Sequence, residues 1–188
     1  MKKSLFVFAA TILLALAPSF VNAASMKIIG PDAMIKENDI IVTTGVVNVK
    51  DLEKSVNSGI EKEVIFTVEL FRVWAFWPDE FVSAKKIKMM IRYDNLRDQY
   101  WASSSDNKDM ETKRFKDFES IQNWLSSISP ISLGNVKGFD KGEYYVRVVI
   151  ESKSREYPLF IGMLMHLIPE TEMSLAKESG TFIVGEAK

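Results

Sequence analysis

The chain contains no cysteine in 188 residues, which excludes disulfides, thiolate metal ligands, cysteine nucleophiles and thiol redox chemistry. Histidine is nearly absent as well. The single one, His166, has neither a second histidine nor the clustered carboxylates that a metal centre would need, so a structural role is expected for it. Glycine is sparse, and Gly134-Asn135-Val136-Lys137-Gly138 has the spacing of neither nucleotide-binding fingerprint. No G-x-S-x-G nucleophile turn and no D-x-D-x-D-G calcium loop occurs. The sequence therefore nominates no catalytic residue, no cofactor and no metal, and an enzyme is the least favoured reading.

What is present begins with an address. Met1-Lys2-Lys3 is a short positive start, Leu5 to Pro18 is almost unbroken apolar sequence, and Val21-Asn22-Ala23 has the small-residue pattern that precedes a signal-peptidase cut. Residues 1–23 are expected to be a cleaved secretory signal peptide and 24–188 one β-rich domain in the periplasm or secreted. The apolar run is too short and wrongly flanked for a spanning helix, so the mature chain is not expected to cross a membrane. Without Lys2 and Lys3 the formal charge moves from −1 to −3. An acidic balance argues against a nucleic-acid partner.

Period-two alternation dominates the rest. Ile87, Met89, Ile91 and Tyr93 alternate with Lys86, Lys88, Arg92 and Asp94, broken only by Met90. Tyr144, Val146, Val148 and Ile150 alternate with Glu143, Arg147, Glu151 and Lys153 in the same way. Such half-polar strands belong to antiparallel sheets, because buried parallel strands read as continuous apolar runs. Glu63 to Trp74 adds a longer strand with Val64, Phe66, Val68 and Leu70 on one face, and with Ile65, Phe71 and Val73 asking for partial cover on the other. Lys27 to Ile35 and Asp39 to Val47 flank Lys36-Glu37-Asn38 as a hairpin. Gln99 to Ser104 follows a turn at Tyr93 to Arg97, and Gly180 to Val184 is a last short strand.

Two helices are predicted, one capped by Asp51 and ended by Gly59, the other over Asp117 to Ile128 with Phe118, Ile121, Leu125 and Ile128 on one stripe. The expected fold is mainly β, an antiparallel β-sandwich or strongly curved sheet of about seven to nine strands with two or three short helices. A mixed α+β roll is the alternative. Tyr157 to Pro169, an apolar run shorter than the roughly 20 residues of a membrane span, is a buried segment or a binding face.

The densest local feature is aromatic. Phe71, Trp74, Phe76, Trp77 and Phe81 surround Pro78-Asp79-Glu80. Trp74, Phe76, Trp77, Asp79 and Phe81 form the candidate interaction surface, since tryptophan combines a large apolar area with one polar handle. The plainer alternative is a strand end whose rings cap the core. Asp79 and Glu80 make poor glycosidase carboxylates, because neighbours on an extended chain point apart.

Leu52 to Trp101 resembles a family of exported bacterial proteins catalogued as a domain of unknown function (DUF4390-like). The likeness rests on Gly59 at a helix end, on Glu69-Leu70 with Arg72 closing a strand, on the Trp77 and Asp79 turn, and on Tyr93, Leu96 and Tyr100. The helix from Phe118 to Leu125 and the Tyr144 strand follow in the family's order. The match departs at the C-terminus, where a W-x-x-x-W-like ending is expected and Glu170 to Val184 contains no tryptophan. The resemblance implies export and a β-rich domain, with Tyr93 and Leu96 serving a turn and the core, and it implies no activity. Relatives encoded near membrane sensor kinases of the nitrogen-regulation type make such a kinase a candidate partner by association. The reading favoured is a non-catalytic envelope module that binds a protein through its aromatic turn. The alternative is a periplasmic carrier of a small apolar ligand, with Phe160, Met163, Met165 and His166 lining the pocket.

Overall fold

The computed structural model describes residues 25–106, 109–128, 130–154 and 172–185. The expected signal peptide, and the run from Tyr157 to Pro169 with Phe160, Met163, Met165 and His166, lie outside the described residues.

Among the described residues ten strands and two α-helices follow in the order β1 (Lys27–Lys36), β2 (Asp39–Val47), α1 (Lys50–Asn57), β3 (Lys62–Arg72), β4 (Glu80–Asp94), β5 (Gln99–Ser105), β6 (Met110–Phe115), α2 (Phe118–Ser126), β7 (Ile131–Asn135), β8 (Gly142–Ser154), β9 (Met173–Glu178) and β10 (Phe182–Val184). One sheet has the order β1-β2-β7. The other runs β8-β3-β4-β5-β6, with β9 and β10 one after the other along the remaining edge of β8. Every pairing is antiparallel. Ser179 bridges the break between β9 and β10. Its N–H donates to Val146 O at 2.8 Å and its hydroxyl accepts from Val146 N–H at 3.0 Å, so the ladder loses no bond there.

The alternation read from the sequence sets the packing. Val64, Phe66, Val68 and Leu70 of β3 share an inner face with Ile87, Met89 and Ile91 of β4 and with Tyr144, Val146, Val148 and Ile150 of β8. All are buried. Ile40, Val42 and Val46 of β2 and Ile131 of β7 join the same core, and α1 and α2 add Leu52, Val56, Phe118, Ile121 and Leu125. Burying each large side chain contributes roughly 1.5–3 kcal/mol, against the entropy of ordering it.

Local signals hold in most places. Glu37 and Asn38 both take positive φ, 52° and 67°, as a two-residue hairpin turn requires. Gly59 ends α1 at φ 90°, in the left-handed region. Asp117 caps α2 by accepting from Ser120 N–H at 2.8 Å, and these hydrogen bonds hold its carboxyl below the usual range. Three expectations need correction. Asp51 is not a cap, because α1 starts one residue earlier and its N-terminus, at Val49, makes no side-chain cap bond. Leu96 is 97 % exposed at the tip of the β4–β5 turn and takes no part in the core. Among the described residues ten strands stand where about seven to nine were expected. Among those unforeseen, β7 follows α2 directly over Ile131–Asn135, and β6 is a six-residue strand of Met-Glu-Thr-Lys-Arg-Phe with no apolar alternation.

Candidate interaction site

The site is the connection from β3 to β4, and residues at the end of β3 build its frame. The two strands pair up to Phe71 opposite Phe81 and Arg72 opposite Glu80, with a register shift between Leu70 and Phe71. Val73 N–H still donates to Glu143 O at 2.8 Å, and beyond it the chain leaves the sheet.

Arg72 organises the departure. Its guanidinium donates to Lys141 O at 2.8 Å, pairs with Asp140 at 3.2 Å, and lies 4.4 Å from the centre of the Trp74 ring. The Trp74 backbone N–H donates to Asp79 at 3.3 Å and its indole N–H to Glu80 at 3.2 Å. Both carboxylates thereby close the turn onto Trp74.

Beneath the turn lies an aromatic base on the outer face of the large sheet. Phe71 stacks on Tyr145 at 5.3 Å and meets Phe81 edge-on at 5.8 Å. The Arg147 guanidinium sits 4.6 Å over the Phe71 ring while pairing with Glu69 at 2.7 Å. Partial burial, with the nearby Asp79 and Glu178 charges, raises the Tyr145 hydroxyl above its ordinary value, so it stays a donor toward Asp79. This base supplies cover for Phe71 at one end of β3.

Above that frame, Phe76 is 94 % and Trp77 76 % exposed. Trp74 and Phe81 are about half exposed. For Phe76 and Trp77 the alternative in which the rings cap the core does not hold, whereas Phe71 is buried. The antiparallel ladder of β3 and β4 runs to Arg72 and Glu80, and the turn beyond it leaves Phe76 and Trp77 in solvent. The structure brings Trp74, Asp79 and Phe81 together with Arg72 and Tyr145, and sets Phe76 and Trp77 apart as a pair in solvent. Sequence reasoning missed Arg72, Tyr145 and Arg147 as its supports. Arg147 and Tyr145 lie more than seventy residues on, and only the β3–β8 register opposes them to Glu69 and Phe71.

Two clefts lie elsewhere. One of about 210 Å³ opens at an end of the sandwich between Ile87, Met89, Trp124 and Ile131, rimmed by Lys85 and Glu111. Another of about 310 Å³ runs over the outer face beside Met90, Trp101 and Thr112. Among the described residues no group of three or more histidine, aspartate or glutamate side chains could hold a metal ion, and no helix is long and apolar enough to cross a membrane.

Three residues of the resemblance fall on this frame: Glu69 holds Arg147, Arg72 holds Trp74, and Asp79 closes the turn. The model of the family described as Domain of unknown function (DUF4390) matches residues 23–178. The chain belongs to that family. The DUF4390 match spans nearly the whole described structure and includes β1 to β9 and the aromatic turn, leaving β10 beyond it. No curated protein and no solved structure matches the chain.

Proposed function

We propose that this DUF4390 protein is a non-catalytic interaction module of the cell envelope, which docks onto another protein through the turn from Trp74 to Phe81. The observation that carries this reading is the exposure of Phe76 and Trp77 on a turn held at Trp74 by Arg72, Asp79 and Glu80 and at Phe81 by Phe71. Neighbouring large rings left in water forgo burial that a core would reward, and a rigid frame lowers the entropy lost when they dock. Tryptophan on a fixed loop is the residue type in which binding energy concentrates. The rim carries Asp79, Glu80, Asp140 and Glu143 against Arg72 and Lys141, which suits a partner with basic residues around an apolar hollow. A membrane sensor kinase with an envelope domain is one candidate. Export by residues 1–23 would bring the module there.

Trp77→Ala tests the reading. Its thermal stability is expected to stay within about 0.5 kcal/mol of the parent, because the ring is exposed. Capture of the partner by crosslinking in the native envelope is expected to fall at least about tenfold. Unchanged capture with intact folding would end the proposal. N-terminal sequencing of the envelope form should begin near Ala24; an intact Met1 there would remove the export step.

A further inference from the structure

We infer that β6 is a self-association edge, through which two copies of this chain join their large sheets antiparallel about a two-fold axis at Thr112. This contact does not use the aromatic turn. β6 pairs with β5 along its whole length, and among the described residues no strand pairs with its other edge. It is also the most polar strand of that sheet, with Met110, Glu111, Thr112 and Arg114 exposed.

An open edge is a template for another strand, and proteins usually blunt it with unpaired charge, lysine above all. Here most of the charge is held in place on the strand's own sheet. Lys113 meets Glu111 at 3.1 Å on the inner side, and on the outer side the Arg114 guanidinium lies 4.4 Å over the Trp101 ring, which leaves one net positive charge. The register with β5 puts Glu111 and Lys113 on the inner face, opposite Ser104 and Ala102, and Met110, Thr112 and Arg114 on the outer face with Trp101.

A two-fold axis across the sheet keeps inner residues opposite inner residues, so the axis must pass through one residue of β6. Centred on Lys113 or on Glu111, it would set like charges against each other. Centred on Thr112, it sets each Glu111 opposite Lys113 of the second copy, Thr112 opposite Thr112, and the exposed Met110 opposite Arg114. The opposite-charge and Thr–Thr pairs are of the kind that stabilises neighbouring strands. On the inner side, Trp124 of α2 packs against Phe115 at 5.8 Å, with Lys113 Nζ 5.9 Å from its ring. Six residues a side are far fewer than the roughly 20–30 of a stable interface, so the association is weak and concentration-dependent.

Sedimentation equilibrium from about 10 µM to about 1 mM should show the purified chain passing from monomer toward dimer. Glu111→Lys and Lys113→Glu are each expected to weaken this about tenfold or more, since each places two like-charge pairs at the junction. Each variant also sets like charges within its own strand, so thermal midpoints are followed in parallel. The deciding measurement mixes the two. At the junction of the mixed pair every introduced charge faces its opposite, so an equimolar mixture should dimerise where neither variant does alone. A parent that stays monomeric to about 1 mM would overturn the inference. So would a mixture no more associated than its components, or dimerisation undiminished in both single variants.

Discussion

Gly45→Ala is expected to destabilise the protein by about 3 kcal/mol, read as a lower midpoint in denaturant at unchanged slope. Gly45 lies within β2 at a backbone conformation any residue can adopt, so strain plays no part and the smaller unfolded ensemble of alanine would by itself favour the variant by up to about 1 kcal/mol. Steric overlap decides the sign. A methyl group there would lie 2.0 Å from Ser126 O, 2.4 Å from Ser126 C and 2.9 Å from Leu125 O, all backbone atoms at the end of α2. No rotamer change relieves that. The helix must move off the sheet, pulling Ile121, Leu125 and Ile128 from the core and breaking the 3.1 Å bond from Ile128 N–H to Thr44 O. A change within about 0.5 kcal/mol would show that α2 does not sit where the structure places it.

The second large effect is an asymmetry between two partners. Lys62 stands at the inner-face end of β3 with its side chain only 6 % exposed, donating to Ser154 Oγ at 2.7 Å and paired with Glu172. Glu172→Ala is expected to cost about 2 kcal/mol, because it leaves a buried ammonium with one neutral partner; the half-exposed site of Glu172 brings this below the 3–5 of a fully buried pair. Lys62→Met should stay within about 1 kcal/mol of the parent, since it removes the buried charge, fills the space, and frees Glu172 to reach water. Equal costs for the two would refute the argument.

The same pair sets an acid limit. Partial burial alone would raise the Glu172 carboxyl, but the hydrogen bonds from Lys62 and Ser154 and the ammonium charge outweigh it and hold the group below its ordinary 4.5. A depressed folded value stabilises the protein above the unfolded one, and that contribution is lost as pH falls through the folded value. Stability of the parent should therefore drop more steeply below pH 4.5 than that of Glu172→Gln. Parallel curves would deny the pairing.

Several elements of this fold were legible in the chain. The alternation of β4 and β8 named which residues face inward, and every one named in β8 is buried. Asn38 marked the first hairpin and Gly59 the end of α1. β6 was not legible, because an edge strand with both faces wet has no apolar period to read. Of the candidate site, the residues of the turn were legible and their supports were not.

Sequence by itself determined the inner faces, the turns, the cysteine-free chemistry and the family, because apolar period, glycine conformation and residue type are recorded locally. Tertiary structure alone decided that Phe76 and Trp77 stand in water, that Gly45 touches Ser126, and that Lys62 is buried against Glu172. Each of these depends on which segment arrives at a given face from far along the chain. Local pattern states that a face needs cover; only the packed register of β3, β4 and β8, and the seat of α2 on β2, supply the cover and fix what is left exposed.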